Sequence, residues 1–154
     1  MDSCVFCGMI QGSVSYHKVW EDEQHLAFLS VRPNTEGVTV VIAKEHLSSY
    51  FVDLSDEQLS KLIMASKKVA RLLDTAFDDV GRTALVFEGF GIDHIHAKLY
   101  PLHGTKSNEW KQIESKIDKY FEHYEGYVSS HDVNKQADST KLAELAEKIR
   151  QAQT

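Results

Sequence analysis

The side chains best suited to chemistry lie two residues apart in one short segment, where His94, His96 and Lys98 alternate with apolar residues. In an extended strand, residues two apart point to the same face, so the two imidazoles and the ammonium would form one row. The apolar residues between them would face a core and fix the direction of that row. An imidazole anchored in this way can act as a nucleophile, and a nearby ammonium can neutralise charge on a phosphate.

A second candidate site is the pair Cys4 and Cys7, which are the two cysteines of the chain. Thiols this close make a poor disulfide framework, and in a reducing compartment a Cys-x-x-Cys pair indicates metal binding or redox chemistry. A closed zinc site needs two more ligands in tetrahedral array. The redox alternative lacks the preceding strand and the βαβ context of a thioredoxin-like site. Two unreactive thiols are the third alternative.

Length and composition predict one globular domain with a real core. The chain has 154 residues, 42% of them hydrophobic, and a formal net charge of -6. Because long nucleic acids are held by clustered Lys and Arg, this charge argues against a nucleic-acid partner but leaves a small phosphorylated ligand open. No stretch has the apolar length of a membrane span, and the first residues do not resemble a secretion signal. These features predict a cytoplasmic protein.

The hydrophobic pattern predicts an α+β fold. Five strands are expected, at residues 18–20, 26–31, 38–43, 83–87 and 92–102. Between the third and fourth, Ser55 and Gln58 form a capping box that starts a helix, and apolar residues keep helical spacing from there to Phe77. This long amphipathic helix should cover the sheet.

The last third of the chain is predicted to be mainly helical. One helix should begin near Asn108 and carry an apolar and aromatic face from Trp110 to Tyr124, and another should present a narrow apolar stripe from Leu142 to Ile149. The aromatic face could cover the active site, form a dimer interface or close the core, and core closure is the favoured role. We therefore divide the chain into a domain at residues 1–105 and a helical C-terminal extension at 106–154 that packs on the same domain.

Four spaced motifs identify a family resemblance: Cys4-Val-Phe-Cys7, Leu26-Ala-Phe-Leu followed by Pro33 and Gly37, Lys44-Glu-His46, and His94-Ile-His96. Over roughly residues 4 to 103, this pattern resembles the histidine triad (HIT) superfamily. The resemblance implies a HIT-like fold with an antiparallel five-stranded sheet and flanking helices, usually in a homodimer. It also implies enzymes that hydrolyse or transfer nucleoside monophosphate groups through a phosphohistidine intermediate.

The resemblance assigns roles to two residues of the row. His96 matches the middle histidine of the family motif, which attacks the α-phosphorus of the substrate. Lys98 stands where the best-known hydrolases of the superfamily carry their third histidine, and related transferases carry Gln there. An ammonium can stabilise phosphate oxygens but is a poor proton acceptor at neutral pH. We therefore expect Lys98 to act as a phosphate clamp.

The resemblance also completes the metal alternative at the N-terminus. Some bacterial members of the superfamily bind zinc through a Cys pair, a later His and the first His of the active strand, and Cys4, Cys7, His46 and His94 match those positions. A structural Zn²⁺ would then hold the N-terminal segment against the active strand and orient His94, leaving His96 free to react.

In family members, the N-terminal segment and the second strand form the base and ribose pocket. The residues that match here are mostly apolar: Val5, Phe6, Met9, Phe28, Ser30 and Val31. Ser30 replaces the usual Asp or Asn, so its hydroxyl would make a weaker bond to the ribose. In the turn before the active strand, Phe90 and Gly91 replace a Gln and a Ser or Thr that contact phosphate. The backbone N–H groups at Gly89 and Gly91 can still approach an anion, although a plain tight turn is equally favoured.

Two hypotheses follow. The first is a nucleotide hydrolase or nucleotidyltransferase that cleaves a phosphoanhydride or phosphoramidate and acts on a small nucleotide through His96 and Lys98. The second is a zinc-stabilised nucleotide-binding or regulatory module that has kept the fold but has little or no turnover. The two differ in whether His96 becomes phosphorylated.

Overall fold

Five antiparallel strands form a single sheet in the computed structural model, which describes residues 4–107, 109, 111–117, 119–129 and 135–152. The strands are β1 (Lys18–Glu21), β2 (His25–Leu29), β3 (Thr39–Ala43), β4 (Thr83–Val86) and β5 (His96–Pro101). Their order across the sheet is β1-β2-β3-β5-β4, and each neighbouring pair is antiparallel. The predicted α+β fold is confirmed, with β5 held between β3 and β4.

The predicted long helix is also confirmed. This helix, α2 (Asp56–Ala76), begins with the expected capping box, in which the backbone N–H of Gln58 donates to Ser55 Oγ at 3.2 Å and that of Ser55 donates to Gln58 Oε1 at 3.0 Å. The structure adds a short helix α1 (Val5–Ile10), a single 3-10 turn (Phe51–Asp53) and a C-terminal helix α3 (Ser139–Gln151). Helix α1 was not predicted, because a six-residue helix interrupted by Gly8 gives too little periodicity.

The two faces of the sheet have different partners. Helices α2 and α3 pack on one face and form the larger core together with Ile95, Ala97 and Leu99. Phe6 of α1 packs on the opposite face in a smaller cluster with side chains of β2 and β3. The alternation in the segment before and within β5 therefore places the apolar residues in the core, as predicted, and directs the histidines to the α1 side.

The fifth strand starts later than predicted, at His96 rather than at residue 92. The chain bends through the preceding residues because its backbone is paired elsewhere: the N–H of His94 donates to the Ile92 carbonyl at 2.9 Å, and the N–H of Ile95 donates to the Leu47 carbonyl at 3.1 Å. Gly91 begins this bend with a φ of +92°, a conformation that favours glycine. His94 thus lies in a hydrogen-bonded bend just before the strand rather than in the strand itself.

The predicted helix from Asn108 is wrong over the residues that the structure describes, while Asn108 and Trp110 lie outside them. No helix is present in 109, 111–117 or 119–129. The apolar spacing was misleading because its supposed face does not pack: Ile113, Ile117 and Tyr120 are each more than 70% exposed. A weak apolar periodicity needs a tertiary partner to become a helix. The C-terminal helix α3 is present, capped by Asp138, whereas the division of the chain at residue 105 stays a prediction.

None of the helices in the described parts of the chain combines the length and the apolar character that a membrane span requires.

A histidine beyond β5 fastens the end of that strand to two loops. His103 Nδ1 lies 3.1 Å from Asp79 Oδ1, and His103 Nε2 lies 2.8 Å from the Glu36 carbonyl oxygen. Both ring nitrogens therefore face acceptors, which suits the doubly protonated ring. Although partial burial disfavours the charge, the hydrogen bonds to Glu36 and Asp79 raise the pKa of His103, and the contact with His103 lowers the pKa of Asp79.

We expect the stability contributed by His103 to depend on pH. Because its folded-state pKa is raised above the ordinary 6.5, this contribution is fully present below that value and is lost as pH rises through the folded-state pKa. Below about pH 4 it is lost again, as Asp79 takes up a proton. Urea unfolding of the native protein and His103→Gln should show a larger difference near pH 5.5 than near pH 8.5. The exposed His123, changed to Gln, is the control, and a difference for His103→Gln that does not vary with pH would contradict this account.

Candidate functional site

The α1 side of the sheet carries a cavity of about 450 Å³. Its walls come from α1, from β2 and the residues after it, from the connection between β4 and β5, and from the segment around Tyr124. The described residues that line it include Phe6, Phe28, Ser30, Glu88, Phe90, Gly91, His96, Lys98 and Tyr124. Both reactive side chains of β5, His96 and Lys98, therefore open onto one cavity.

The sheet and its own backbone hold His96 in place. This residue pairs with Ile42 of β3 and is almost fully buried. Its Nδ1 lies 2.8 Å from the carbonyl oxygen of His94. A carbonyl can only accept, so Nδ1 carries the proton of the neutral ring and Nε2 carries the lone pair. The ring of Phe6 packs edge-on against His96, with ring centroids 5.5 Å apart.

Lys98 is paired with a carboxylate that the sequence analysis did not include. Its Nζ lies 3.2 Å from Glu88 Oε1, and the two side chains are only 7% and 8% exposed. The register explains the contact: Val86 of β4 pairs with Lys98, and Glu88 follows two residues later. This register was the signal that could have found Glu88, since two residues beyond Val86 the chain runs opposite the start of β5.

Tyr124 is the second residue that was missed as part of the site. Its hydroxyl donates to Glu88 Oε2, and its ring stacks on Phe90 with centroids 5.7 Å apart and planes at 22°. Burial, followed by the hydrogen bond to Glu88, raises the pKa of Tyr124 to about 12. Of the three roles considered for the aromatic segment, the described residues support covering the site, because Tyr124, Gly126 and Ser129 line the cavity.

A compact group of metal-binding side chains lies next to the cavity. Potential ligand atoms of Cys4, Cys7, His46 and His94 all lie within 4.8 Å of one another; we call these four residues the Cys/His cluster. Cys7 Sγ is 3.2 Å from His46 Nδ1, and His94 Nδ1 is 3.5 Å from Cys4 Sγ and 3.7 Å from Cys7 Sγ. Helix α1 brings the thiols together, since Cys4 is its N-cap and its Sγ accepts from the Cys7 N–H.

The orientation of His94 suits metal binding. Its Nε2 lies 2.7 Å from the Ala43 carbonyl oxygen, so Nε2 carries the proton and Nδ1 turns its lone pair to the thiols. Burial lowers the pKa of His94, and His46 and His96 add to the effect, which keeps the ring neutral. Burial and the contact with Cys4 raise the pKa of the Cys7 thiol. The exposed Asp93 accepts from the Ser49 N–H at 3.0 Å and holds the neighbouring loop.

Most of the residues predicted to bind the nucleotide line the cavity. Phe6, Phe28 and Ser30 do so, together with Val5, Met9 and Val31. Gly91 also lines it and has a positive φ, whereas Gly89 has a positive φ of +79° but is not among the lining residues. Gly89 instead passes close to the Ser49 carbonyl, where a Cβ would lie 3.2 Å from the oxygen. The backbone at Gly91 is thus the better placed of the two for an anion.

The family model described as HIT domain matches residues 11–122, which is more than half of the chain. Protein hit of Bacillus subtilis is 33% identical over 107 residues, which cover 67% of this chain and 73% of that protein. The protein named adenosine 5'-monophosphoramidase hnt1 of Schizosaccharomyces pombe is 32% identical over 103 residues, which cover 64% of this chain and 74% of that protein.

A solved structure of a Zn-bound histidine triad family protein from Mycobacterium smegmatis superposes with a TM-score of 0.68, covering 98% of this chain and 93% of that chain. At 20% identity this likeness shows the fold alone. The fold and the family match agree, and the chain belongs to the HIT family.

We predict that Phe6 links the Cys/His cluster to the cavity and contributes substantially to stability. It is buried against Phe28 and lies edge-on to both His94 and His96. Phe6→Ala should lower the free energy of unfolding by about 3 kcal/mol, measured by urea unfolding. The reason is that the neighbouring side chains cannot fully fill the space left by the phenyl ring. Val5→Ala, on the more exposed side of the same helix, is the control and should change it by less than about 0.5 kcal/mol. Equal effects of the two changes would show that α1 packs loosely.

Proposed function

We propose that this protein is a nucleotide hydrolase or nucleotidyltransferase that removes a nucleoside monophosphate group from a phosphoanhydride or phosphoramidate substrate. The single observation that carries the proposal is the tautomer of His96, with Nδ1 bound to the His94 carbonyl and the lone pair on Nε2. A histidine that only packs needs no such fixed tautomer in the wall of a cavity. The family membership and the name of the yeast relative support the same reaction class.

The proposed reaction has two displacements at the α-phosphorus. In the first, the lone pair of His96 Nε2 forms a P–N bond while the bond from phosphorus to the leaving group breaks, and the leaving group departs with that electron pair and takes up a proton from solvent. In the second, water or another acceptor attacks the same phosphorus and loses its proton to solvent, while the P–N bond breaks and its electron pair returns to Nε2. Dividing one displacement in this way lowers the barrier of each step.

Charge on the phosphoryl oxygens would be balanced by Lys98 and by backbone N–H groups. Lys98 lies on β5, two residues after His96, and lines the same cavity. The Lys98 side chain is only 7% exposed, so solvent screens its charge poorly, and a cation placed before the reaction stabilises the transition state more there than it would in bulk solvent. The backbone at Gly91 is the proposed second contact, because a Cβ placed there would have no atom of the described residues within 4 Å.

The nucleoside would occupy the apolar part of the cavity. Phe6 and Phe28 lie with ring centroids 5.5 Å apart and offer an aromatic wall for a base. Ser30 Oγ accepts from the Arg32 N–H at 3.3 Å, so its hydroxyl can still donate to a ribose oxygen. The family resemblance further predicts a homodimer.

We propose that the Cys/His cluster holds a structural Zn²⁺. In a tetrahedral site with ordinary zinc bond lengths, a sulfur and a nitrogen ligand are about 3.5 Å apart. The three S···N distances of 3.2, 3.5 and 3.7 Å fit this spacing. Two thiols and two imidazoles also form a ligand set that zinc prefers. The ion would cross-link α1 to the bend just before β5, and it would so support the orientation of His94 and Phe6.

Zinc removal is expected to destabilise the protein. Purified protein should contain about one zinc per chain by elemental analysis, and a chelator should lower Tm by at least about 5 °C, because the cross-link between α1 and His94 is lost. Cys7→Ser should bind less zinc and lose most of the sensitivity of Tm to the chelator. Full stability of a metal-free protein, with no zinc taken up on addition, would reject the site.

A binding module without turnover is the second candidate, and one observation favours it. Lys98 already contacts Glu88, and Phe90 occupies the turn where family hydrolases carry a phosphate-binding Gln. A protein of this kind would bind nucleotide without forming a P–N bond at His96. Phosphorylation of His96 therefore separates the two candidates.

Release of nucleoside monophosphate from dinucleoside polyphosphates, nucleoside phosphoramidates and nucleotide sugars tests the proposal. His96→Ala should lower kcat/KM by at least about 1,000-fold, since the proposed intermediate forms on its ring, and Lys98→Ala by about 10- to 100-fold. His17→Gln is the control, because the His17 ring lies 3.4 Å from Ser139 Oγ of α3 and is not among the described residues that line the cavity. If the native protein binds nucleotide but turns over none of these compounds, the binding module is correct.

A further inference from the structure

The charge balance of the cavity is unusual for a phosphate site. Among the described residues that line it, the charged side chains are Lys98 and Glu88, and these two form one ion pair. The cavity therefore carries almost no net charge before a ligand binds. Sites for di- and triphosphates normally present several cationic groups or a metal ion to the phosphate chain.

The carboxylate of Glu88 is held firmly in place. Lys98 donates to Oε1 and the Tyr124 hydroxyl donates to Oε2, so both oxygens are engaged and the group cannot easily turn away. The side chain is also 8% exposed, so solvent screens its charge poorly. A phosphate that reaches Lys98 must therefore approach this fixed negative charge, and each further phosphate adds repulsion.

We propose that Glu88 is a specificity-determining residue that limits the cavity to a single phosphoryl group whose leaving substituent is uncharged or cationic. This inference rests on the proposed function and narrows it from two substrate classes to amides of nucleoside monophosphates. One negative phosphoryl group can be balanced by Lys98, but the second and third phosphates of a polyphosphate would find no further cation among the lining residues that the structure describes.

The surroundings of Glu88 also suit an amine leaving group. An ionised carboxylate accepts hydrogen bonds and does not donate, so it pairs with the N–H of an amine and repels a terminal phosphate. Beside it, the stacked rings of Phe90 and Tyr124 provide an apolar and aromatic wall, which offers no positive charge to a polyphosphate.

The test compares the binding of ligands that differ only in phosphate number. Titration calorimetry without added Mg²⁺ would measure Kd for adenosine, AMP, ADP and ATP with the native protein, Glu88→Gln and Glu144→Gln. Glu144 lies exposed on α3, so its variant makes the same change in net charge away from the cavity. We expect the native protein to bind AMP more tightly than ADP and ATP. Glu88→Gln should raise the affinity for ATP relative to that for AMP by at least about tenfold, and Glu144→Gln should leave this ratio of affinities unchanged.

A general loss of structure would weaken all four ligands alike and would leave the ATP-to-AMP ratio unchanged. Glu88→Asp, which keeps the charge, should retain the native preference. If Glu88→Gln does not fold, the ligand series on the native protein still decides, because affinity that rises from AMP to ATP overturns the inference. An unchanged ratio in folded Glu88→Gln, or no binding of AMP by the native protein, overturns it as well.

The role of Glu88 and the proposed function can fail independently, since ligand affinity and the modification of His96 are separate measurements. If the native protein prefers AMP, Glu88→Gln loses this preference and no nucleotidyl group is ever found on His96, the role of Glu88 is supported and the enzyme is rejected. If a nucleotidyl group is found on His96 but Glu88→Gln leaves the ratio of ATP to AMP affinity unchanged, the enzyme is supported and the role of Glu88 is rejected.

Discussion

The site depends on the way His94 is fixed. This residue is completely buried, and three of its polar groups have partners: its ring Nε2 binds the Ala43 carbonyl, its ring Nδ1 faces the thiols of Cys4 and Cys7, and its own carbonyl accepts from the ring of His96. A buried imidazole is stable only when its polar atoms are satisfied, so these contacts leave it little freedom. Because the carbonyl of His94 sets the tautomer of His96, the position of one residue determines which ring nitrogen of the next histidine carries the lone pair.

The same residue connects two parts of the molecule that are far apart in sequence. The N-terminal helix α1 approaches the sheet through Phe6, which contacts both His94 and His96, while its cysteines approach the ring of His94. A cross-link in the Cys/His cluster would therefore act on the shape of the cavity without touching a substrate. This separation would allow the proposed structural metal and the proposed nucleophile, which binds no metal, to lie side by side.

The sequence predicted those parts of the fold in which local pattern and tertiary packing agree. The capping box at Ser55 and the alternation around His96 each have a single physical reading, and both are confirmed. Helix α1 could not be predicted because its stability comes from the packing of Phe6 and not from propensity. The helix expected after Asn108 failed for the converse reason: apolar residues at helical spacing are not enough when the sheet offers them no surface, as the exposure of Tyr120 shows. Placing Glu88 beside Lys98 would have required the register of β4 on β5, which local sequence patterns do not contain.

Lys98 is better understood as half of a pair than as a replacement for a histidine. A neutral imidazole can be buried without a counter-charge once its polar atoms are hydrogen-bonded, whereas a buried ammonium needs a counter-charge at hydrogen-bond distance. Glu88 supplies that charge, and Tyr124 holds Glu88, so a change of one side chain on β5 draws in a residue after β4 and another from the C-terminal third of the chain. Lys98 and Glu88 depend on each other, because removing either charge would leave its partner buried and unpaired. The departure from the histidine motif thus places a buried ion pair in the cavity wall, and the chemistry of the leaving group should follow that pair rather than Lys98 alone.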